Sequence, residues 1–274
     1  MRLTTKIMLS IIAAIFLIPL IFIIGFSFTD RKNYNHSNVE FINLSQENKT
    51  GIELPSYKKI LIDEAPFKSE EGYYNGFSNN CSIFLELNPE EHNSDMLFTP
   101  ESLKDFIAID TYDDTLKIII NFMGLGKKLK NDENKNRFYS ELDLHFNISN
   151  IDVTSNIRRL SITAKNIHTD SIIVKSSGNI YIDSCKADVI EPVTKYRRLT
   201  IKNSDLKKLN LDLDYADIWH IENCNIEEEY LTGGKTHNIT QNKDESRIIH
   251  WHPKNKNAKL NITIESDTAQ IIFP

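Results

Sequence analysis

Two pairs of side chains in this sequence have the types and spacing that could support chemistry. His250 and His252 are two residues apart, so a strand would place both imidazoles on one face, where a converging third ligand would complete a metal site. Asp212 and Asp214 have the same spacing, and paired carboxylates can act as a general acid and a general base. No third metal ligand is evident, and alternating carboxylates are typical of a solubilising strand face. We therefore interpret both pairs as surface residues.

The aromatic cluster Tyr73, Tyr74 and Phe77 is a candidate binding loop. Exposed aromatic rings in a loop can stack on sugars, although the same cluster could be a turn folded over the core. The sequence contains no convincing catalytic signature. We therefore predict no catalytic residues, no cofactor and no metal site, and we retain these three residues as the candidate for binding.

Four similar segments at nearly even spacing form the framework that must position these residues. Their central isoleucines lie 20, 19 and 20 residues apart. A short unit repeated at a fixed period cannot bury its apolar side alone and stacks on its neighbours. The repeat therefore predicts an all-β fold, a β-solenoid with coils of about 20 residues. The four segments are Leu160–Ile167, Ile180–Ala187, Leu199–Leu206 and Trp219–Ile226.

The alternation of apolar and polar residues predicts which side chains each coil buries. Leu142–Ile148 and Leu209–Leu213 alternate as half-buried strands do, so two strands fit in each coil. Ser184, Asn203 and Asn223 lie at polar corners, and asparagine tolerates the left-handed backbone of a tight corner. The predicted inward ladder is Ile162, Ile182, Ile201 and Ile221, and its predicted outward neighbours are Thr163, Asp183, Lys202 and Glu222.

The same geometry applies to the three cysteines. Cys185 and Cys224 occupy equivalent positions two coils apart, so their Cα atoms would be about 9.6 Å apart at about 4.8 Å per strand, beyond disulfide reach. A metal site made by these two thiols and His220 would lack the Cys-x-x-Cys or His-x-x-x-His spacing of such sites. Cys81 lies in an earlier region of the chain. We therefore predict that all three cysteines are free thiols.

The region before the regular coils is predicted to be irregular β structure. One short helix is predicted at Pro100–Asp105, since Thr99 can cap it and Pro100 suits its first position. Gly124–Arg137 has no apolar periodicity and is predicted to be an exposed loop. The predicted strands of this region are Val39–Leu44, Tyr57–Asp63, Cys81–Leu87, Phe106–Asp110 and Thr115–Phe122.

A run of 22 uncharged residues, 7–28, predicts a transmembrane anchor. As a helix rising about 1.5 Å per residue, it can cross a hydrocarbon core about 30 Å thick. The end of the run lacks the small residues of a signal-peptide cleavage site, which favours an uncleaved anchor over a cleaved signal peptide. Arg2, Lys6 and the terminal amine outnumber Arg31 and Lys32 by one charge. We therefore predict a single-pass protein of a bacterial cytoplasmic membrane, with the C-terminal domain on the outer face.

These observations divide the chain into four parts. They are a short tail at 1–6, the anchor at 7–28, a linker at 29–38 and a β-rich domain at 39–274. The β-rich domain divides into an irregular region at 39–141, regular coils at 142–226, and C-terminal strands at 227–274. Among the C-terminal strands, Leu260–Ile264 and Gln270–Phe273 could cap the solenoid, since an uncovered edge invites pairing with another chain.

Two short motifs carry a resemblance to a known family. Asp114-Thr-Leu-Lys-Ile118 matches the stretch that closes the first β region of that family, and Ser176-Ser-Gly-Asn179 is similar to the turns of its coils, whereas the other corners here lack glycine. On these motifs the chain, from about Leu54 to Ile226, resembles the bacterial GIN-domain group of auto-transporter adhesin head domains and related membrane-associated β-solenoid proteins. The resemblance implies a cell-envelope protein without known catalytic residues. The segments that carry it are Tyr57–Asp63, Ser102–Ile118 and Ser171–Ile182.

Charge and architecture together narrow the function. A net charge of −6 gives no electrostatic reason to expect a nucleic-acid partner. We predict a membrane-anchored protein that is not an enzyme and whose solenoid surface binds a protein or a glycan. Two alternatives stay open. One is a regulatory or signalling partner of a membrane complex, and the other is a polysaccharide-active enzyme, which would need Asp, Lys or Arg clustered on one outer face across several coils.

Overall fold

The structure, a computed structural model, covers most of the predicted β-rich domain. It describes residues 41–66, 78–87, 94–129, 137–147, 150–157, 159–194, 197–241, 246–264 and 270–272. The predicted anchor at 7–28 and the linker at 29–38 lie outside these residues, as do Tyr73, Tyr74 and Phe77. Within the described ranges, no helix has both the length and the apolar character needed to span a membrane.

Short strands make up most of the described chain. The first part contains β1 (Phe41–Asn43), β2 (Lys49–Glu53), β3 (Lys59–Glu64), β4 (Ser78–Leu87), β5 (Met96–Pro100), β6 (Ile107–Tyr112), β7 (Thr115–Ile120) and β8 (Arg137–Phe146). The coils that follow contain β9 (Asn150–Ser155), β10 (Leu160–Lys165), β11 (His168–Ser176), β12 (Ile180–Asp183), β13 (Lys186–Thr194), β14 (Arg197–Lys202), β15 (Asp205–Asp212) and β16 (Ala216–Glu222). The last strands are β17 (Asn225–Gly233), β18 (Thr236–Gln241), β19 (Ser246–Pro253), β20 (Lys259–Ile264) and β21 (Gln270–Ile272). The helices are α1 (Glu101–Lys104), α2 (Phe122–Leu129) and a 3₁₀ turn at Leu44–Gln46.

Two sheets, parallel over most of their width, contain nearly all of these strands. Sheet 1 has the order β16-β14-β12-β10-β4-β8-β5-β2, with β1 also paired to β8, and sheet 2 has the order β21-β19-β17-β15-β13-β11-β9-β3-β7-β6. From β9 to β16 the chain alternates between the sheets, so each coil contributes one strand to each sheet. This is the arrangement of a β-solenoid, as the repeat predicts. The C-terminal strands continue it, because β21 adds to sheet 2 and β20 pairs with β18 in a separate two-stranded sheet.

The core consists of the alternate residues that both sheets turn inward. Strands β10 and β12 bury every second residue, and their inward side chains belong to one hydrophobic cluster with those of β11 and β13. Full burial of an isoleucine or leucine side chain stabilises the fold by about 1.5–3 kcal/mol. No coil can bury these side chains alone, so this stabilisation depends on stacking.

The register of the coils confirms most of the predicted ladder and corrects one member. Ile182, Ile201 and Ile221 pair in register on adjacent strands. Ile162 does not pair with Ile182. It pairs with Ile180, and Ala164 occupies the position opposite Ile182. The prediction was wrong here because the first of these coils is two residues shorter than the spacing of the isoleucines indicates.

Corner residues with left-handed backbone set this register. Asn166, Ser184, Asn203 and Asn223 all have φ between 50° and 55°. The backbone N–H groups of the first three donate to carbonyl oxygens of the next coil at 3.0–3.1 Å. The corners recur after 18, 19 and 20 residues. Because each corner is hydrogen-bonded to the next coil, this spacing fixes the length of each coil. The predicted corners at Ser184, Asn203 and Asn223 are confirmed.

The order of the first coils in the stack differs from their order in the chain. Strand β3 pairs with both β7 and β9, and β4 pairs with both β8 and β10. The coil β3–β4 therefore lies between the coil β7–β8 and the coil β9–β10, although β7 and β8 come later in the chain than β3 and β4. At the far end of sheet 1, β5 and β2 add as antiparallel strands, and antiparallel β6 completes the far end of sheet 2.

The predicted short helix exists, but its predicted cap is wrong. Helix α1 spans Glu101–Lys104, and Pro100 occupies the N-cap position without a side-chain hydrogen bond. Thr99 is fully buried as part of β5, so its hydroxyl cannot turn back to the helix. Instead, the carboxylate of Glu47 accepts hydrogen bonds from the backbone N–H and the hydroxyl of Ser102, at 3.0 and 2.7 Å.

The predicted loop at Gly124–Arg137 is wrong over its first residues. Helix α2 covers Phe122–Leu129 and buries Phe122, Leu125 and Gly126 against the core. The apolar positions that make this helix amphipathic begin before Gly124, so a window starting at that glycine misses them. The predicted strand Thr115–Phe122 is two residues too long. The observed strand ends at Ile120, because Phe122 already begins the helix.

A substitution at Ile201 tests the inward ladder of isoleucines. Ile201→Asp would bury an unpaired charge, so we expect the stability to fall by at least about 4 kcal/mol, with loss of the cooperative thermal transition measured by circular dichroism. The matched control is Lys202→Ala, because Lys202 lies next in the strand but points outward and forms a half-exposed ion pair with Glu222. The control should change the stability by only about 0.5 kcal/mol. An unchanged thermal transition in Ile201→Asp would contradict the register.

Candidate functional site

Five adjacent strands of sheet 1 place a row of rings and hydroxyl groups on its outer face. The cross-strand pairs are Phe84 with Thr163, Thr163 with Tyr181, Tyr181 with Thr200, and Thr200 with His220. Paired strands lie about 4.8 Å apart, so these five side chains form one continuous line across the coils. We call this line the outer row.

A charged row runs beside the outer row. It consists of Lys165, Asp183, Lys202 and Glu222, which pair on the same strands two residues further along. The sequence predicted three of these residues as outward neighbours of the ladder but placed Thr163 in the position that Lys165 occupies. That prediction was wrong because Thr163 shares the two-residue shift of Ile162.

The outer row and three residues of the charged row, Lys165, Asp183 and Lys202, line an open groove with a volume of about 750 Å³. Arg198 and Ile218 complete its wall on the other side of the outer row, and both are exposed, Ile218 by 53%. Trp219 lines the groove at the edge strand β16 and is half-buried. A concave surface that combines aromatic and apolar groups with a few polar ones is typical of a binding site.

Hydrogen bonds hold the two carboxylates of the charged row in place. Asp183 accepts from the side-chain amide of Asn203 at 2.9 Å and from the hydroxyl of Ser184 at 3.1 Å. Glu222 lies 2.5 Å from the ammonium of Lys202 and 3.2 Å from Nε2 of His220. The hydrogen bond from Lys202, and then the contact with His220, lower the pKa of Glu222 below its usual value. The contacts of Glu222 therefore favour its charged form.

Hydrogen bonds also position the ring at the centre of the groove. The side-chain amide of Asn179 donates to the hydroxyl of Tyr181 at 3.3 Å, and its carbonyl oxygen accepts from the backbone N–H of Arg198 at the same distance. Asn179 thus connects the aromatic ring to the strand that presents the guanidinium group.

The sequence-predicted histidine pair lies elsewhere, on the outer face of sheet 2. His250 stacks on the ring of Tyr230, with centroids 4.3 Å apart, and His252 stacks on the same ring at 6.0 Å. The ammonium of Lys208 lies 3.9 Å from the centroid of that ring. These contacts give both histidines a role in packing on a surface strand. Among the described residues, no group of histidine, cysteine and acidic side chains could hold a metal ion.

The cysteines point away from the groove. Cys81, Cys185 and Cys224 are buried free thiols. Burial raises the pKa of Cys81 to about 12 and raises that of Cys185 as well, so these thiols stay protonated. Cys185 and Cys224 lie on the inward side two coils apart, with Ser204 at the equivalent position between them, whereas His220 is exposed on the outer face. The three side chains cannot converge on one ion.

The predicted carboxylate pair is part of a network that joins three successive turns. Asp214 accepts hydrogen bonds from the backbone N–H of Gly234 at 2.8 Å and lies 3.0 Å from both Nε2 of His237 and the ammonium of Lys254. Lys254 also contacts Asp212 at 2.6 Å. The interpretation of Asp214 as a solubilising residue was wrong, because the chain turns after β15 and brings its carboxylate onto the next coil.

The groove could not be found from the sequence as a site. Thr163, Asp183, Lys202, Glu222 and His220 were each identified as single residues, but their grouping depends on the register. Phe84 was missed because the order of the coils in the stack brings β4 beside β10. The signal that could have located Tyr181 is its position one residue before the inward Ile182.

Comparisons with known proteins give a likeness in fold. No protein-family model and no curated protein matches the chain. Among solved structures, one from Bacteroides fragilis described as a putative adhesin is 13% identical, spans 84% of this chain and 100% of its own, and has a TM-score of 0.46. A putative adhesin from Parabacteroides distasonis is 12% identical over 86% and 98%, with a TM-score of 0.39. A putative lipid-binding protein from the same species is 10% identical over 86% and 100%, with a TM-score of 0.37.

Asp214 gives a pH-dependent test of the turn network. Burial alone would raise the pKa of Asp214, but the hydrogen bonds from Gly234, Lys254 and His237 lower it to about 2. The carboxylate therefore stabilises the fold fully above its unfolded pKa of about 4, and this contribution is lost as the pH falls toward 2. We expect Asp214→Asn to lower the stability at pH 7 by about 1–2 kcal/mol, measured by urea unfolding, and to have a much smaller effect near pH 2.

The control for this prediction is Asp188→Asn. Asp188 pairs with Lys207 at 2.7 Å, but both side chains are more than half exposed, so its loss should cost less than about 0.5 kcal/mol. Equal losses in the two variants at pH 7, or a loss in Asp214→Asn that is independent of pH, would contradict the role given to this network.

Proposed function

We propose that this protein is a non-catalytic binding protein of the cell envelope, and that the groove on sheet 1 is its recognition surface. The observation that carries the proposal is the outer row, a line of ring and hydroxyl side chains that crosses five parallel strands beside a line of charges. Such a surface suits an extended ligand that contacts several coils at once, because solenoids provide long binding surfaces of this kind.

The state of the carboxylates supports binding rather than catalysis. Acid–base catalysis needs a carboxyl or imidazole group that is free to exchange a proton with a substrate. Asp183 is held by Asn203 and Ser184, and Glu222 is held by Lys202. Both carboxylates are therefore engaged by neighbouring side chains, and Asp183 forms part of the wall of the groove.

A polysaccharide-active enzyme is the second candidate, because one observation favours it. The groove brings Lys165, Asp183, Arg198 and Lys202 together on one outer face across three coils, which is the clustering that such an enzyme needs. Hydrolysis of a glycosidic bond usually requires two carboxyl groups on opposite sides of the bond. Among the described residues that line the groove, Asp183 is the one carboxylate. We therefore place binding first.

The proposed location combines the anchor and the exposed groove. The uncharged run at 7–28 is long enough to anchor the chain in a membrane. The small excess of positive charge before that run favours an orientation with the domain outside. A groove on a domain held at the outer face would meet polymers and proteins of the cell surface.

Intrinsic fluorescence can test binding at the groove. The chain has two tryptophans. Trp219 lines the groove, and Trp251 is buried in the core with 6% exposure. We expect full-length protein in detergent to change its emission on titration with a ligand from a panel of cell-surface polymers, made up of peptidoglycan fragments, neutral and acidic polysaccharides, and matrix proteins. Trp219→Phe should abolish the change, whereas Trp251→Phe should retain it.

A matched pair of variants assigns the binding to the outer row. Tyr181→Ala removes the central ring and should weaken binding by about tenfold, whereas Tyr181→Phe keeps the ring and should bind within about threefold of the parent. Lys175→Ala changes an exposed residue of sheet 2 and should leave binding unchanged. The proposal fails if no polymer of the panel binds, or if Lys175→Ala weakens binding as much as Tyr181→Ala. Shortening of the bound polymer during incubation would favour the enzyme.

Membrane topology tests the proposed location. A reporter that is active only outside the cytoplasm is fused after Asn38 in one strain and after Pro274 in another. We expect activity from both fusions, because the charge bias favours an outer domain. Inactive but expressed fusions at both positions would place the domain on the cytoplasmic side and exclude binding of surface polymers.

A further inference from the structure

We infer that the groove selects an acidic polysaccharide, a chain of sugars that carry carboxylate groups. This inference rests on the proposed function, since it names the class of ligand for the same groove. Three features support it: the charge of the groove, the side chains of the outer row, and the position of the groove on the face of the sheet.

The groove has the opposite charge to the protein as a whole. The chain carries a net charge of −6. Among the described residues that line the groove, three are cations, Lys165, Arg198 and Lys202, and one is an anion, Asp183. A local cluster of positive charge attracts negative ligands even when the protein as a whole is acidic.

Two of these cations are available to a ligand. Lys202 is paired with Glu222. Within the described part of the chain, neither Lys165 nor Arg198 forms an ion pair, and both are exposed. They lie on opposite sides of the outer row, because Lys165 belongs to the charged row and Arg198 pairs with Ile218. Arginine can bind a carboxylate through two parallel hydrogen bonds, and lysine can bind one as a point charge.

The side chains between the two cations suit sugars. The ring of Tyr181 can pack against the C–H face of a pyranose, and the hydroxyl groups of Thr163 and Thr200 on either side of it can exchange hydrogen bonds with sugar hydroxyls. Strand spacing repeats these groups every 4.8 Å or so along the row. This repeat is close to the length of one sugar unit, so a polysaccharide could place successive units on successive coils.

The position of the groove argues against an acidic peptide. Extended peptides are commonly recognised by adding a strand to a sheet edge, where main-chain groups are free to pair. The groove lies on the face of sheet 1, and β10, β12 and β14 each pair with a strand on both sides. A ligand on this face contacts only side chains, so a peptide could not use its main-chain groups to pair with the sheet. A ligand rich in hydroxyl and carboxylate groups would bind better there.

The test compares one sugar chain with and without its charge. Full-length protein in detergent is titrated with polygalacturonate and with fully methyl-esterified polygalacturonate, and binding is followed by Trp219 emission and independently by sedimentation of the polymer. We expect polygalacturonate to bind at least about tenfold more tightly than the ester, because each carboxylate bound by a cation contributes charge-assisted hydrogen bonds. Raising the salt concentration should weaken the binding of polygalacturonate but not of the ester.

Variants assign the selectivity to the two cations. Arg198→Ala and Lys165→Ala should each reduce the preference for polygalacturonate over the ester by about threefold, since the two cations share the expected preference. Lys175→Ala, on sheet 2, should leave the preference unchanged. Thermal transitions of all variants are compared with the parent, and Arg198→Lys serves as a milder change, which should keep part of the preference because it keeps the charge.

The outcomes separate this inference from the proposed function. Equal binding of polygalacturonate and its ester, abolished by Tyr181→Ala, would overturn the selectivity for acid and leave the binding function standing. Tighter binding of poly-glutamate than of polygalacturonate would overturn the choice of a glycan. Absence of binding by all three polymers would overturn the inference, and the polymer panel described above would then decide the proposed function.

Discussion

The structure depends on one constraint, which is that each coil can bury its apolar side chains only against the coils above and below it. A single coil has two short strands and no third layer to cover them. Parallel pairing between coils joins the inward residues of both sheets into one core, in which Ile182 and Ile201 are almost fully buried. The register of that pairing is fixed at the corners. There, residues with left-handed backbone such as Asn166 and Asn203 end a strand and donate their backbone N–H groups to the neighbouring coil.

The same constraint produces the outer face. When inward residues stack in register, their outward neighbours must form rows as well, because successive side chains of a strand alternate between the two faces. The outer row and the charged row are therefore direct products of the packing. Their composition is free to vary, since changes on the outer face cost little stability. This separation of core and face allows a repeated framework to present a specific set of groups such as Tyr181 and Arg198.

The repeats made much of this fold predictable from the sequence. The isoleucines of three coils, the corners at Asn203 and Asn223, and the two strands per coil all follow from local alternation and spacing, which act within about 20 residues. The shift of Ile162 was not predictable in this way. Leu160 and Ile162 are both apolar and inward, so the pattern fits Ile162 opposite Ile180 or opposite Ile182 equally well. The backbone conformation of Asn166 decides between them.

The long-range features of the fold and of the site could not be predicted from the sequence for a different reason. The insertion of β3 and β4 between later coils depends on pairing between strands far apart in the chain, and no local pattern records it. Phe84 belongs to the groove only through that insertion. The aromatic loop at Tyr73, Tyr74 and Phe77 lies outside the described residues and stays a prediction.

The register at Thr163 is the feature on which the groove depends most, and nuclear magnetic resonance can measure it directly. In isotopically labelled protein, we expect cross-strand nuclear Overhauser contacts between the backbone protons of Thr163 and Tyr181, since these residues are paired in β10 and β12. Such contacts would place the ring of Tyr181 in line with Thr163 and Thr200. Contacts between Thr163 and Asp183 instead would restore the register of the sequence repeat, break the outer row, and contradict the account.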